Sequence, residues 1–340
     1  IPWSDWSSDV CSSDLGDVHI MKISVIGAGN VGATCANVLA LKNFATEVVL
    51  LDVKPGVSEG KAMDMMQTAQ MMHIDTKIIG VTAPMDDAAK ADEAYKATEN
   101  SDVVVITSGI PRKPGMSRTD LIGVNSKIVK GVMDQALKHS PEAVFIIVSN
   151  PVDTLTYLAL KNSGLPRNRV IGMSGLLDGS RFEYYLAQAI GCPVRDINAM
   201  VIGAHGDLMV PLTRFASYKG RPVTELLSEE KLAEIEHATQ VGGGTLTSLL
   251  GTSAWYAPGT TAATMAEAIA KDSGLTISSI CYLDGEYGEH DVCAGVPAVL
   301  GKGGIKEITV LDLNEKEQAM FDASVGSARE TNAKLAEALK

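Results

Sequence analysis

The chain is poor in the features that mark several large protein classes. No apolar run approaches the ~18–20 residues that cross a bilayer, so no membrane partner is expected. Its cysteines are Cys11, Cys35, Cys192, Cys281 and Cys293, odd in number, scattered and without a C-x-x-C pair. That usage suits free thiols in a reducing cytoplasm. The six histidines show no H-E-x-x-H or similar spacing, so no metal site is expected. Basic charge is also short: 29 Lys and Arg against 41 Asp and Glu leave a net charge of −12. Such a field disfavours nucleic acid and anionic membrane surfaces. It leaves room for a small anionic substrate, because a few local arginines can override the mean field. Residues 1–20 hold no Lys or Arg and no apolar stretch, so no signal peptide is expected there. They read as a non-native or disordered extension ahead of Met21, with a native regulatory arm as the alternative. No internal repeat or low-complexity tract is visible.

With 340 residues, the chain exceeds the ~250–300 at which single cores tend to split, so two domains are expected. Its 46% hydrophobic and 21% charged residues are an ordinary globular balance. From residue 21 to about 165, short apolar runs at 22–27, 47–51, 76–81, 102–107 and 143–148 alternate with helical stretches, notably 57–72 and 118–138. The alternation predicts a doubly wound parallel sheet with helices on both faces, an α/β class. Residues 166–340 read as a second, α+β domain. A helix at 176–190 leads to β-rich text at 196–203 and 212–225. A helix then runs from about 227 to a break at Gly242-Gly243-Gly244. Strands follow near 275–282, 295–300 and 305–311, and a last helix covers 314–338.

The first apolar run ends in Gly27-Ala28-Gly29-Asn30-Val31-Gly32, and Asp52 closes the second run 20 residues beyond Gly32. Strand, glycine turn, helix, strand and acid make a dinucleotide-binding Rossmann unit. Gly27 serves the tight turn, Gly29 the approach of backbone to a pyrophosphate, and Gly32 the packing of helix on strand. A carboxylate at Asp52 accepts hydrogen bonds from ribose hydroxyls and repels a 2′-phosphate, so NAD is favoured over NADP. The competing explanation is a glycine turn kept for packing alone.

Ligands in such sheets bind at the carboxyl ends of the strands. Four clusters fall in suitable places. Pro111-Arg112-Lys113-Pro114-Gly115-Met116-Ser117-Arg118 follows the fourth strand and reads as a closing lid that brings Arg112 and Arg118 onto an anion. A basic surface loop is the bland alternative. Ser149-Asn150-Pro151-Val152-Asp153 puts Asn150 at the tip of the fifth strand, as a substrate or nicotinamide-ribose ligand or as a mere turn residue. In Leu177-Asp178-Gly179-Ser180-Arg181, Asp178 and Arg181 share a helix face at i, i+3. They form a surface ion pair, or Asp178 orients a histidine while Arg181 grips a carboxylate. In Gly203-Ala204-His205-Gly206-Asp207, glycine neighbours leave His205 accessible, which makes it the acid/base candidate. His73, His139, His237 and His290 read as surface residues.

These motifs, in this order and spacing, resemble the lactate/malate dehydrogenase family over residues 21–340, and most closely its malate-specific, lactate-dehydrogenase-like group. The resemblance implies hydride transfer between NAD and a 2-hydroxy acid, a step of the tricarboxylic acid cycle when the acid is malate. It implies cofactor contacts at Gly27 to Gly32, Asp52, Asn125 and Val148 to Asn150, with Ser149 between. It implies a proton relay of His205 and Asp178, and substrate contacts from Arg112, Arg118, Asn150 and Arg181, with Ser253 as a pocket-lining position. Arg118 would polarise the reacting carbonyl. Homodimers or homotetramers are usual in the family. Lactate-specific members typically carry glutamine where this chain has Arg112, which points to a dicarboxylate. Lactate dehydrogenase is the main alternative. A non-catalytic NAD-binding regulator would be expected to have lost relay residues that are present here. An NAD-dependent glycosidase would be expected to show a metal site.

Overall fold

The computed structural model describes residues 21–111 and 118–338. In chain order its first half holds β1 (Lys22–Ile26), α1 (Asn30–Lys42), β2 (Glu47–Asp52), α2 (Val57–Gln67), α3 (Ala69–Met72), β3 (Lys77–Thr82), α4 (Ala88–Tyr95), β4 (Val103–Ile106), α5 (Arg118–His139), β5 (Val144–Ile147), α6 (Val152–Ser163) and β6 (Val170–Gly172). All neighbours among these strands pair in parallel. The inner runs β2, β4 and β5 are rich in β-branched residues and buried on both faces, as a covered parallel sheet requires, while edge strand β3 is half-buried. Along β4, Val103 and Val105 join one apolar cluster while Val104 and Ile106 join the other. Along β5, Val144 and Ile146 separate from Phe145 and Ile147 in the same way. The period of two thus splits each strand between two helix layers.

The second half holds α7 (Gly175–Ile190), then five two-residue strands: β7 (Ile197–Asn198), β8 (Val201–Ile202), β9 (Val210–Pro211), β10 (Ser217–Tyr218) and β11 (Arg221–Pro222). Next come α8 (Glu229–Leu250), α9 (Tyr256–Ala270), β12 (Leu275–Asp284), β13 (His290–Gly301), β14 (Gly304–Ile308) and α10 (Glu315–Ala338). Strands β12 to β14 do not form a separate sheet. They extend the first one antiparallel, through Ile280 of β12 opposite Gly172 of β6. One nine-stranded sheet results, in the order β14-β13-β12-β6-β5-β4-β1-β2-β3.

Several elements differ from the sequence reading. The glycine triplet does not break its helix, since α8 runs through Gly242, Gly243 and Gly244 to a left-handed cap at Gly251. The segments expected to be β-rich, 196–203 and 212–225, make only two-residue strands between 3-10 turns. Strand β6 was not foreseen, since three residues carry little periodicity, and neither was α9, whose text is rich in alanine, threonine and glycine.

The sheet order sets the crevice. From β1 the chain proceeds outward through β2 and β3, then returns to the other side of β1 with β4 and β5. The reversal lies between β1 and β4, and their carboxyl ends, with that of β5, form one rim.

Candidate active site

The glycine turn lies on this rim. Gly27 has φ +110, and a Cβ there would lie 2.6 Å from Thr107 Oγ1. A Cβ on Gly32 would lie 1.8 Å from the Gly27 carbonyl oxygen, so helix and turn could not close. These two glycines are explained by the protein itself. Gly29 is not: its φ of −64 is ordinary and a Cβ would meet nothing within 4 Å. It faces open space at the N-terminus of α1, where no side chain caps the helix and no acid sits in the first turn. Exposed Asn30 and half-buried Val31 continue this edge. Uncapped N–H groups beside a bare backbone suit a pyrophosphate, so the residues present fit a dinucleotide.

Asp52 ends β2 beside the turn. Its Oδ2 accepts from the buried Ala28 N–H at 2.6 Å and its Oδ1 from the Lys54 N–H at 2.9 Å. Each oxygen keeps a further lone pair for a ribose hydroxyl. Lys61 Nζ on α2 donates to the Ala28 carbonyl at 2.6 Å, a brace that no sequence motif announces. Across the rim, the Val148 N–H donates to Ile106 O at 2.9 Å, and Ser149 Oγ donates to Ser108 O at 2.5 Å. Asn125 is 2% exposed and its amide is heavily engaged. Its Nδ2 donates to Ile110 O and Asn150 O at 3.2 and 2.8 Å, while its Oδ1 accepts from the Ile110 N–H at 2.9 Å. It staples the loops after β4 and β5 together, while Asn150 itself is exposed.

The second cluster is built on Asp178, in the first turn of α7 and 1% exposed. Its Oδ2 lies 2.8 Å from His205 Nδ1, and its Oδ1 accepts from Arg181 Nη1 at 3.0 Å. A carboxylate on Nδ1 selects the tautomer protonated there and leaves Nε2 free. The His205 side chain is 19% exposed, so part of the ring reaches open space. The loop bearing it is pinned on several sides. Gly203 exchanges two backbone bonds with Gly295 of β13, Ala204 N–H donates to Ser324 Oγ of α10, and His205 N–H donates to Asp153 Oδ2 of α6 at 3.0 Å. Burial works against charge on the imidazole. The charge and hydrogen bond of Asp178, with the charge of Asp153, outweigh it and raise its pKa above the ordinary value.

Arg181 is mostly buried, and its Nε has no acceptor among the described residues. With only Nη1 held by a carboxylate, the guanidinium keeps further N–H donors that suit a second one. Gly242 of the glycine triplet gives it room. A Cβ on Gly242 would lie 3.3 Å from Arg181 Cδ, and one on Gly243 would lie 3.7 Å from Nη1. Mid-helix glycine costs about 1 kcal/mol relative to alanine, and here it gives α8 clearance beside the guanidinium.

Other residues stand apart. Ser253 is exposed between α8 and α9, and no hydrogen bond joins it to this cluster among the described residues. Arg112 lies outside the described residues. So does the side chain of Arg118, although its backbone opens α5. His139 is not a free surface residue: its ring is 7% exposed and bridges Asp92 at 3.0 Å and Glu99 at 3.5 Å, a structural role. Asp153 and Lys61 were not singled out from sequence. Asp153 stood inside a motif whose asparagine drew attention, and its burial could not be read. Among the described residues, no three His, Cys, Asp or Glu gather as a metal site, and no helix is long and apolar enough to cross a membrane.

The geometry thus joins a dinucleotide cradle to a histidine–aspartate–arginine cluster, and comparisons with known proteins agree. Residues 21–172 match the model of the lactate/malate dehydrogenase NAD binding domain, and residues 176–338 match that of the lactate/malate dehydrogenase alpha/beta C-terminal domain. Malate dehydrogenase of Bacteroides thetaiotaomicron is 60% identical over 317 residues, covering 93% of this chain and 98% of that protein. The structure of Salinibacter ruber malate dehydrogenase superposes with a TM-score of 0.87 at 42% identity, covering 93% of this chain and 98% of that one. Cryptosporidium parvum lactate dehydrogenase, solved with lactic acid and nicotinamide adenine dinucleotide, gives 0.86 at 34% identity, covering 94% and 98%. With both halves matched and the cradle and cluster in place, the chain belongs to the lactate/malate dehydrogenase family.

Proposed function

We propose that this chain interconverts (S)-malate and oxaloacetate with NAD, a step of the tricarboxylic acid cycle. The observation that carries the chemistry is Asp178 holding His205 and Arg181 at once, at 2.8 and 3.0 Å. An acid/base and a carboxylate receptor then stand side by side. NAD, when bound, supplies the acceptor for the hydride that leaves C2 of malate. Arg181 holds the carboxylate next to the reacting carbon. Neutral His205 takes the hydroxyl proton at Nε2, and Asp178 stabilises the imidazolium that forms. In the reverse direction His205 starts protonated, and Arg118 polarises the carbonyl. Arg112 pairs with the second carboxylate. Asn150 and Ser253 line the substrate side, and Asn125 with Val148, Ser149 and Asn150 supports the nicotinamide side. Residues 21–165 serve as the cofactor domain and 166–340 as the catalytic domain. Mixing enzyme, NADH and oxaloacetate should bleach the nicotinamide absorbance; pyruvate or NADPH in place of either should be much slower. Equal rates with pyruvate would favour the lactate reading.

Asp52 should carry the cofactor preference. Asp52→Ser removes the charge that repels a 2′-phosphate and should raise the NADPH-to-NADH ratio of kcat/KM by about tenfold, equivalent to about 1.4 kcal/mol. Because Asp52 also holds Ala28 and Lys54, total activity should fall as well. An unchanged ratio would remove Asp52 from cofactor selection.

The cytoplasm is the proposed compartment, since Cys35, Cys192, Cys281 and Cys293 are all unpaired. The proposed partner is a second copy. Met63, Met71 and Met72 are exposed on and beside α2, and exposed Tyr256 lines a groove between α1, α2 and α9. Exposed apolar side chains of this kind suit self-association. Mass photometry should read two or four times the 35.8 kDa chain; a monomer at micromolar concentration would refute the assembly.

A further inference from the structure

Asp153 is 6% exposed, lies in the first turn of α6, and is the second carboxylate against His205. Both its oxygens face the His205 N–H, at 3.0 and 3.3 Å. Asp178 already orients the ring, so a second buried carboxylate is not needed to choose the tautomer. A neutral side chain could accept the same N–H bond, so position alone does not require a charge either. The groups that act on Asp153 are His205, Asp178, which contacts the same histidine at Nδ1, and Cys293 of β13, whose thiol is pushed well above its ordinary range and stays neutral. Arg181 lies on the Asp178 side and opposes charge on the ring. Burial lifts the Asp153 carboxyl to about 7, against the pull of His205. Since this value is raised on folding, the native state loses stability as pH climbs from the ordinary carboxylate range through 7. A carboxyl that costs stability at working pH, where an amide would do structurally, is explained by the charge it places near the imidazolium.

We infer that Asp153 is a positioning residue for the proton relay: it anchors the backbone of His205 and supplies a second counter-charge to the imidazolium formed on the ring. This rests on His205 being the acid/base of the proposed reaction. Asp153→Asn keeps an oxygen acceptor for the His205 N–H and removes only the charge. The pKa of His205 should then fall by about one unit. For oxaloacetate reduction, which needs the protonated ring, the alkaline limb of kcat/KM should move down by that unit. Activity should drop up to about tenfold at pH 9 and hold near the parent value at pH 6. For malate oxidation, which needs the neutral ring, the variant should gain between about pH 7 and 8, where the parent's Asp153 is charged, and match the parent at pH 6, where that carboxyl is protonated. The melting temperature at pH 8 should be no lower than that of the parent, and NADH affinity should be unchanged.

A purely structural carboxylate predicts a lower melting temperature, equal losses in both directions and unmoved limbs; that pattern overturns the inference. A parent enzyme that fails to oxidise NADH with oxaloacetate overturns the underlying reading along with it. An active parent with unmoved limbs in the variant overturns the inference alone. If the variant does not fold, NMR titration of the parent settles the matter. The His205 ring signals should show two steps, one for the ring and one for the neighbouring carboxyl; a single step at or below the ordinary imidazole value overturns it.

Discussion

His205→Asn should bind NADH as the parent does and turn over at least ~10²-fold more slowly in both directions, the lower bound for losing a placed acid/base. The amide cannot exchange a proton with the substrate oxygen near neutral pH, yet it is small and polar enough to sit in the same loop. That loop is held by its backbone, through Gly295, Ser324 and Asp153, so removing the ring should not release it. Asp178→Asn should also slow the reaction. It removes the charge that outweighs burial at the ring, and an amide N–H directed at Nδ1 selects the wrong tautomer. In the parent, oxaloacetate reduction should persist through neutral pH and fade as pH rises past a value above the ordinary 6.5 of histidine. Steady-state rates at the nicotinamide band, with NADH affinity from fluorescence, check each point. Near-parent turnover in His205→Asn would remove the histidine from the mechanism.

The second large effect concerns substrate choice. Arg112→Gln should cut kcat/KM for oxaloacetate steeply and raise it, or lower it far less, for pyruvate. Burying an arginine against the methyl of lactate leaves an unpaired charge, worth about 3–5 kcal/mol when the partner is missing. The ratio of the two substrates should therefore move by roughly 10²–10³-fold or more. Glutamine has similar reach and no charge, so the penalty against the smaller substrate disappears. Arg118→Gln should behave differently, lowering turnover on both substrates, because its proposed target is the carbonyl they share. The two arginines lie six residues apart, and a general basic loop predicts similar losses for both variants. Equal losses with an unchanged oxaloacetate-to-pyruvate ratio would reopen the lactate reading.

Much of the fold was readable because buried parallel strands are dense apolar runs. Val103 to Ile106 and Val144 to Ile147 declare themselves, and their ends announce the rim. The i, i+3 spacing of Asp178 and Arg181 likewise predicts the contact found at 3.0 Å. What stayed hidden depends on distant packing. Glycine propensity argued for a break at Gly242, but the helix continues, and only the position of Arg181 shows why Gly242 itself carries no side chain. Asn125 was read through the resemblance as a cofactor contact, and its three bonds to loop backbone show a staple. The extension of the parallel sheet by β12 rests on one residue pair, Ile280 and Gly172, which no local pattern encodes. Asp153 needed the His205 loop in place before its neighbour could be known.

The tether from Ala204 to Ser324 bears on how the protein comes into being. Synthesis runs from the first residue to the last, and the glycine cradle, β1 to β5 and α6 are complete long before α10 leaves the ribosome. The histidine loop has its ring partner by residue 178 and its backbone partner by residue 153, but its remaining stays come from Gly295 and Ser324. The cradle helix α1 also packs on α9, through Gly259 against Thr34 and the Lys42–Glu267 pair, so the chain must be made through α9 to cover it, and the His205 loop then still lacks two of its anchors. The His205 loop is thus held from both ends of the sequence, and its last two anchors are among the last residues to be made.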